Sequence, residues 1–417
     1  MNRCIVLSPD LRGASRRDPA QRLEEAVGLT RAIELEVVAQ QSLSLDKRHP
    51  ATLFGRGKVD EVSDWVSNAE ADLVIVNTGL SPVQQRNLER AWKAKVLDRT
   101  GLILEIFGRR AQTREGVMQV DLAHLSFQKS RLVRSWTHLE RQRGGAGFMG
   151  GPGERQIESD RRMIDEKITR LRRQLGKTVQ TRTLHRKARK KAPFPVVVLV
   201  GYTNAGKSTL FNRLTQADVM AEDMLFATLD PTMRELELPS GRKAILSDTV
   251  GFISDLPTEL VAAFRATLEE VLEADLILHV RDISSPTSEA EASDVRDVLH
   301  ALGVPDDVVQ IEVLNKIDLL NSPLNAADTR DADGNEGLPV SAASGQGCQA
   351  LCEAIETQVY PDSAQVALTL AHSNGAALAW LYDHGAIRQR EDSEQGIEIK
   401  AEMTTKEYAQ FRKAFSE

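Results

Sequence analysis

Hydrophobic and polar residues alternate along the chain with periods that change from one segment to the next. Up to about residue 112, short apolar runs such as "RCIVLS" and "DLVIVN" alternate with amphipathic stretches such as "PAQRLEEAVGLTRAI". The runs are typical of strands, and the stretches have helical spacing. Strands that alternate with helices predict a small α/β domain with a mainly parallel sheet over residues 1–112.

The period then becomes heptad-like over residues 113–192. Apolar residues follow a 4-3 spacing from Met118 to Leu139, with Lys129 in one core position, and again from Ile157 to Leu175. Two long amphipathic helices joined by a short loop are expected to fold back as an antiparallel hairpin. Pro193 and Pro195 end this segment.

Two further segments follow. Residues 193–361 again alternate apolar runs with amphipathic stretches, and residues 362–417 show strand and helix candidates of a small α+β module. The expected fold class is therefore multidomain α/β: an α/β domain over residues 193–361, preceded by a small α/β domain and an antiparallel helical hairpin, and followed by the α+β module.

The loop of the hairpin, "GGAGFMGGPGE", contains the G-x-G-x-x-G pattern of dinucleotide-binding sites. That pattern requires a buried strand before it, whereas an arginine-rich helix is predicted here. We interpret the loop as the tip of the hairpin, with Phe148 and Met149 as its only sizeable side chains. Phe148 could stack on an unpaired RNA base.

Charge is distributed unevenly. The formal net charge is −7, but residues 129–191 carry 19 Lys and Arg against 6 Asp and Glu, a local charge of +13. Such asymmetry indicates a polyanionic partner, although most charge runs are solvated helix faces. The residues expected to contact RNA are Arg141, Arg143, Phe148, Met149, Arg155, Arg161 and Arg162.

The clearest chemical signal is "VVVLVGYTNAGKST". Five aliphatic residues predict a buried strand, and G-x-x-x-x-G-K-S leads directly into a predicted helix. Backbone amides of this loop cradle phosphates. Lys207 is expected to bridge the β- and γ-phosphates, and the Ser208 hydroxyl to ligate Mg²⁺.

Further motifs follow in the order that a GTPase needs. In "SDTVG", Asp248 would hold Mg²⁺ through water, and the Gly251 amide would sense the γ-phosphate. In "NKID", Asp318 can accept two hydrogen bonds from guanine, and adenine offers no such pair. Between the first two motifs, Thr228 and Thr232 are both candidates for a second Mg²⁺ hydroxyl, and Thr228 is preferred.

The expected nucleotide site comprises four groups of residues. They are Gly201, Tyr202, Thr203, Asn204, Ala205, Gly206, Lys207, Ser208 and Thr209; Phe226, Ala227, Thr228, Leu229 and Asp230; Asp248, Thr249, Val250 and Gly251; and Asn315, Lys316, Ile317 and Asp318 with Ser341, Ala342 and Ala343. Lys207, Thr228 and Gly251 are the expected catalytic residues, and Ser208 and Thr228 the expected metal ligands. Residues 193–361 are therefore expected to form a P-loop GTPase domain, and GTP, GDP and Mg²⁺ are the expected ligands.

The chain resembles the HflX family of bacterial GTPases. The resemblance is carried by "LFGRGKVDE", "VLDRTGLILEIFGRRAQTREGVMQVDLAHL", "GGPGERQIESDRR", "GYTNAGKST", "FATLDPT" and "DTVGFISDLP". It covers about the first 360 residues, and the last 55 carry no motif that we can match. It implies that Thr228 is the Mg²⁺ ligand, that the protein binds the large ribosomal subunit and ribosomal RNA, and that it splits stalled ribosomes.

One residue departs from the Ras-type pattern. Phe252 follows D-T-V-G, where Ras-type switches have a glutamine that orients the attacking water. A phenyl ring cannot do this, so slow intrinsic hydrolysis is expected, with the ribosome or a bound K⁺ completing the site. Asn204 resembles a potassium ligand of other GTPases, and it could equally stabilise its own loop.

Two other functions are compatible with the sequence. The basic hairpin could lie against anionic lipid in a GTPase that regulates a membrane protease or another protein partner. Alternatively, Gly55, Gly57 and Lys58 of "LFGRGK" could belong to a nucleotide site for RNA remodelling, although their spacing suits a structural turn better. No apolar run reaches the roughly 18 residues of a membrane span, so we expect no stable membrane insertion. Three cysteines are too few for a disulfide framework, so we expect a cytoplasmic protein, with peripheral membrane association as an alternative. We also expect a monomer.

Overall fold

The computed structural model describes residues 3–11, 18–142, 152–189, 194–217, 226, 232–254, 270–305, 308–320, 336–384, 386–393 and 396–415. These residues form two compact units. Residues up to 185 make the first unit, together with Phe226, Ile253 and Ser254. The remaining described residues make the second.

The first unit contains a four-stranded parallel sheet of order β2-β1-β3-β4. The alternation of strands and helices predicted from the sequence is present. The elements are β1 (Arg3–Leu11), α1 (Pro19–Arg31), β2 (Glu36–Leu45), α2 (Arg56–Asn68), β3 (Leu73–Val76), α3 (Pro82–Trp92), β4 (Lys95–Asp98) and α4 (Arg99–Arg110).

Local sequence signals fix where these helices begin. The Ser81 hydroxyl accepts the Gln84 amide while the Gln84 side chain accepts the Ser81 amide, which forms a capping box, and a proline follows at the first helical position. Asp98 caps α4 by accepting the Gly101 amide. Because β4 ends at Asp98 and α4 starts at Arg99, "VLDRTGLILEIF" is a strand and a helix joined without a loop.

The segment "LFGRGK" is a turn that leads into a helix. Leu53 has a φ of 64° and is buried beside Phe54, and Gly55 precedes the first residue of α2. Lys58 lies in the first turn of α2 and forms an ion pair with Glu61 at 2.7 Å. These contacts of Leu53, Phe54 and Lys58 are those of a structural turn.

A buried arginine connects several parts of the first unit. Arg99 is 5% exposed, and its guanidinium donates to Asn77 Oδ1 at 2.6 Å and to Glu25 Oε1 at 3.2 Å. It also donates to the backbone oxygen and the hydroxyl of Ser254, each at 2.9 Å. Arg99 therefore fixes Ser254, which follows D-T-V-G-F in the chain, to the strand ends of the first sheet.

Two long helices complete the first unit, α5 (Arg114–Gln142) and α6 (Pro152–Arg189). They contact each other, because Lys129 of α5 forms an ion pair with Asp165 of α6. Met118 and Ile168 of the heptad-like pattern are buried. The tip loop, including Phe148 and Met149, lies outside the described residues.

The second unit is built on a six-stranded sheet of order β10-β9-β8-β5-β7-β6, parallel except for β6. Its described elements are β5 (Val196–Gly201), α7 (Lys207–Thr215), β6 (Thr232–Glu237), β7 (Lys243–Asp248), β8 (Leu276–Asp282), α8 (Ser288–Leu302), β9 (Val309–Asn315), a short 3₁₀ helix (Ile317–Leu319), β10 (Leu338–Pro339) and α9 (Cys348–Val359). Leu199, Leu278 and Val313 lie in its core with Phe211 of α7 and Leu351 of α9.

The C-terminal part of the second unit is an α+β module, as expected. An antiparallel sheet of order β11-β13-β12 packs with two helices around Leu381, Ile399 and Phe411. The elements are β11 (Ser363–Leu370), α10 (Gly375–His384), β12 (Ala386–Ser393), β13 (Gly396–Thr404) and α11 (Thr405–Phe415).

This module is joined to the β6–β7 hairpin by a buried arginine. Arg242 forms an ion pair with Glu407 at 2.8 Å, donates to the Glu402 carbonyl and stacks on the Tyr360 ring, 4.3 Å from its centroid. The arrangement gives the multidomain α/β class predicted from the sequence. In the part of the chain that the structure describes, no helix is both long and apolar enough to cross a membrane.

The Arg99 contacts predict a large stability effect for one substitution. Arg99→Met should lower the free energy of unfolding by about 3–5 kcal/mol, because it breaks an ion pair whose two side chains, Arg99 and Glu25, are only 5% and 11% exposed. Chemical denaturation of the full chain, followed by hydrogen exchange in β3 and β4, measures this change.

Arg3 provides the matched control. It pairs with Glu70 at 3.4 Å, but the Glu70 side chain is 84% exposed. Arg3→Met should therefore change stability by less than about 1 kcal/mol. Equal effects of the two substitutions would contradict the role given to Arg99.

Candidate functional site

The phosphate-loop motif joins β5 to α7 in the second unit. β5 ends at Gly201, and α7 begins at Lys207. Gly206 has a φ of 89°, and a Cβ placed on it would lie 2.2 Å from Asn315 Nδ2. Only glycine fits this position, because both the backbone conformation and the space exclude a side chain.

Lys207 is held inside the loop that precedes it. Its Nζ donates to the carbonyl oxygens of Gly201 at 3.2 Å and Tyr202 at 2.8 Å. Burial lowers the pKa of Lys207 to about 8, and the nearby Asp248 carboxylate opposes this shift. The amine therefore changes its protonation state more readily than an ordinary surface lysine.

Ser208 and Asp248 are brought together from two motifs. The Ser208 hydroxyl donates to Asp248 Oδ2 at 2.7 Å, and Asp248 is fully buried at the end of β7. A hydroxyl beside a carboxylate is a pair of hard oxygen donors, which suits Mg²⁺. The residues present therefore fit the metal ion that the sequence predicts.

The D-T-V-G motif lies directly against the phosphate loop. A Cβ on Gly251 would lie 2.8 Å from Thr203 Cα and 3.0 Å from Lys207 Nζ. The next residue, Phe252, donates its amide to the Gly201 carbonyl at 3.1 Å and accepts the Thr203 amide at 2.8 Å. The Phe252 side chain is 2% exposed, so the residue at the water-orienting position is instead packed into the protein.

Asn315 connects the phosphate loop with the loop that contains Ser341–Ala343. It is 1% exposed, donates through Nδ2 to the Ala205 carbonyl at 2.8 Å and accepts the Ala342 amide through Oδ1 at 3.0 Å. Asn315 therefore secures the phosphate loop. One amide side chain thereby fixes the distance between the two loops.

The remaining residues of N-K-I-D occupy the turn after β9. Lys316 has a φ of 66° and forms an ion pair with Asp282 at 2.8 Å, and Asp318 lies in the 3₁₀ helix. Asp282 was not predicted from the sequence. It ends β8 opposite Asn315 in the parallel register, where neighbouring strands deliver their last side chains to one edge, and this pairing is seen only in the structure.

The second motif group, residues 226–230, is not among the residues that the structure brings together in the second unit. Ala227, Thr228, Leu229 and Asp230 lie outside the described residues. Phe226 belongs to the first unit, where its ring packs edge-on against the Phe107 ring, with 4.7 Å between the two ring centroids. The structure thus brings together the first, third and fourth motif groups.

The residues predicted to contact RNA belong to α5, α6 and the segment between them. Arg161 and Arg162 are exposed on α6. Arg141 and Arg155 lie on α5 and α6, but their side chains are outside the described residues, as is all of Arg143.

Comparison with known families covers most of the chain. Residues 196–316 match a family described as 50S ribosome-binding GTPase, and residues 327–416 match the HflX C-terminal domain. Residues 20–108 and 110–189 match the N-terminal and middle regions of a GTP-binding GTPase family. The chain belongs to the HflX family of GTPases.

Relatives from two bacteria align with the chain over nearly its full length. The chain is 50% identical to GTPase HflX of Magnetococcus marinus over 388 residues, covering 93% of this chain and 89% of that protein. It is 41% identical to GTPase HflX of Escherichia coli, covering 90% and 87% of the two chains. The resemblance found from motifs is confirmed, and the HflX C-terminal match covers the last 55 residues that the motifs left unassigned.

Membership of the HflX family establishes the activity of the chain. It is a GTPase, which binds guanine nucleotides and hydrolyses GTP. The division at 112, 192 and 361 stays a prediction, and the C-terminal family match begins at residue 327, within the segment assigned to the GTPase domain.

The close approach of Asn315 to Gly206 predicts the effect of a substitution on nucleotide binding. Gly206→Ala should weaken GDP binding at least about tenfold, because the new Cβ displaces Asn315 and forces a left-handed backbone on alanine, each costing ~1 kcal/mol or more. Isothermal titration with GDP measures the affinity.

A control substitution at Gly241 separates the effect of backbone strain from the effect of the contact with Asn315. Gly241 also has a left-handed φ, 83°, but a Cβ there would meet nothing within 4 Å. Gly241→Ala should retain GDP affinity despite similar strain. If the two variants bound GDP equally well, the contact with Asn315 would not matter.

The lowered pKa of Lys207 predicts proton uptake on nucleotide binding. Phosphate favours the charged amine, so binding raises the pKa of Lys207 above about 8. Above pH 8 the free amine is mostly neutral, and binding must take up a proton. GDP affinity should therefore fall as the pH rises through this range.

Titration calorimetry in buffers of different ionisation enthalpy counts this proton. At pH 8.5 the uptake should be more than about half a proton, because most of the free protein then has a neutral Lys207. Near pH 7.5 the uptake should be much smaller, because most of the free protein already has a charged Lys207. Equal uptake at the two pH values would show that Lys207 is already charged in the free protein.

Proposed function

We propose that the protein binds the large ribosomal subunit through its paired helices and uses GTP hydrolysis to control splitting and rescue of stalled ribosomes. The observation that supports this best is the arginine-rich face of α6. Arg162, Arg170 and Arg173 are spaced so that they lie on one side of the helix, and all three are exposed. Guanidinium groups in such a row suit the phosphates of RNA.

Charge on this face is only partly neutralised by neighbouring carboxylates. Arg162 contacts Glu166 at 3.4 Å, but the two side chains are 83% and 69% exposed. An exposed pair of this kind is weak, so it can be replaced by contacts to phosphate. The match of residues 196–316 to the family described as 50S ribosome-binding GTPase gives independent support for this partner.

For hydrolysis, we propose that the phosphate loop and Lys207 bind the β- and γ-phosphates and stabilise the negative charge of the transition state. Ser208 and Thr228 would hold Mg²⁺ directly and Asp248 would hold it through water, and the ion would neutralise phosphate charge when bound. The Gly251 amide, beside Lys207, would donate to the γ-phosphate. Asp318 would accept the guanine ring and amino protons, and the Ser341–Ala343 backbone would meet the guanine oxygen.

The position of Phe252 supports an external contribution to catalysis. Its ring is buried, and its backbone is hydrogen-bonded to Gly201 and Thr203, so we propose that the ribosome or K⁺ completes the site. Asn204 is exposed at a φ of 61° in the phosphate loop, which leaves its side chain available to a cation or to its own loop.

Sedimentation with large ribosomal subunits tests the proposed partner. The protein should co-sediment in sucrose gradients in at least one of the GTP, GDP and non-hydrolysable analogue states. Arg170→Ala/Arg173→Ala should weaken binding and reduce the slope of log K against log salt by about 1–2, as expected for one or two lost phosphate contacts.

Arg86 and Arg90 give a matched control. They are also exposed and spaced four residues apart on a helix, but they lie on α3. Arg86→Ala/Arg90→Ala should retain both the affinity and the salt slope. Failure to co-sediment in all nucleotide states would refute the ribosome proposal, and vesicle binding in its place would favour the membrane alternative.

A further inference from the structure

The helix that begins at the phosphate loop also carries an arginine at its other end. Lys207 and Ser208 lie in the first turn of α7, and Arg213 lies in its last turn. Arg213 Nε donates to the Ala342 carbonyl at 3.1 Å, and its Nη2 donates to the Ala343 carbonyl. One guanidinium therefore binds two consecutive carbonyls of the loop assigned to guanine.

These two bonds fix the orientation of the loop's peptide groups. In a trans peptide, the N–H points away from the C=O of the same group. The Ala342 carbonyl and the Ala343 amide share one peptide group, so directing the carbonyl at Arg213 directs the Ala343 amide to the opposite side. The planar, rigid guanidinium suits this task, because its donors approach both oxygens in a fixed geometry.

The other described contacts of the loop leave the peptide group between Ala342 and Ala343 to Arg213. Asn315 Oδ1 binds the Ala342 amide, and within the loop the Ser341 amide donates to the Gln346 carbonyl and the Gly345 amide to the Ser341 carbonyl. The Ser344 amide, which shares a peptide group with the Ala343 carbonyl, donates to the Ser341 hydroxyl at 3.1 Å. These bonds fix where the loop begins and closes and support the Ala343 carbonyl. The contact of Arg213 with the Ala342 carbonyl fixes the peptide group that carries the Ala343 amide.

We propose that Arg213 is a positioning residue for guanine recognition, which holds the peptide group between Ala342 and Ala343 so that the Ala343 amide meets the guanine oxygen. This inference rests on the proposed guanine site and adds a residue outside the four GTPase motifs. Because Arg213 is on the phosphate-loop helix, it also places the base-reading loop at a fixed position relative to the phosphate-binding residues.

The role predicts an effect on one atom of the base. Arg213→Ala should lower affinity for GDP about 3- to 10-fold, the range of a lost hydrogen bond. It should leave unchanged the affinity for 2-aminopurine riboside diphosphate, which lacks the guanine oxygen and, with it, the ring proton assigned to Asp318. The preference for GDP over that analogue should fall by the same factor. The preference for GDP over IDP, which lacks the amino group assigned to Asp318, should stay as in the unaltered protein.

Two further variants make the measurement specific. Arg234→Ala removes the same charge from β6, where Arg234 is exposed and donates to the adjacent Met233 carbonyl at 3.1 Å, and it should retain every preference. Arg213→Lys should restore only part of the preference, because an ammonium group cannot hold both carbonyls in the geometry of the fork.

The possible outcomes are distinct. If Arg213→Ala weakens GDP and both analogues equally, Arg213 is a general structural residue and the inference is overturned. If Arg213→Ala keeps the preference for the guanine oxygen, the inference is overturned while the site assignment stands. If the unaltered protein binds GDP and 2-aminopurine riboside diphosphate equally well, the assignment of Ser341–Ala343 to the guanine oxygen fails as well.

Discussion

The two hydrogen bonds of the buried Asn315 side chain are the constraint on which the nucleotide site depends. The side chain is 1% exposed and joins the Ala205 carbonyl to the Ala342 amide. A buried amide must satisfy both its donor and its acceptor, so neither loop can move without leaving a polar group unpaired. Gly206 has to be glycine because Asn315 occupies the space of a side chain. The site is therefore rigid where base and phosphates must be held at a fixed separation.

Elsewhere in the chain, buried arginines connect separate elements as Asn315 connects the two loops. Arg99 connects Asn77, Glu25 and Ser254 in the first unit, and Arg242 connects the β6–β7 hairpin to Glu407 and Tyr360 in the second. Arginine suits such positions because its five donors can reach several acceptors at once. Each of these residues joins parts of the chain that are far apart in sequence, and removal of either would break an ion pair that is largely shielded from water.

Elements with strong local signals were predictable from the sequence. The capping box at Ser81, the Asp98 cap and the apolar runs around Ile5 and Val74 specify helices and strands through contacts within a few residues. The GTPase motifs were predictable for the same reason, since each is a short stretch with its own backbone requirement. Asp282 and Arg99 were missed, because their partners Lys316 and Ser254 come from other elements and no local spacing indicates them.

The sequence by itself determined the family, the guanine-nucleotide chemistry and the order of strands and helices, because periodicity and motif spacing are local properties. Only the tertiary structure decided that Phe252 is buried with its backbone on the phosphate loop, and that Arg213 binds the carbonyls of Ala342 and Ala343. These contacts join residues about 50 to 130 positions apart. Which distant groups meet depends on strand order and register, and these are set by packing of the whole sheet.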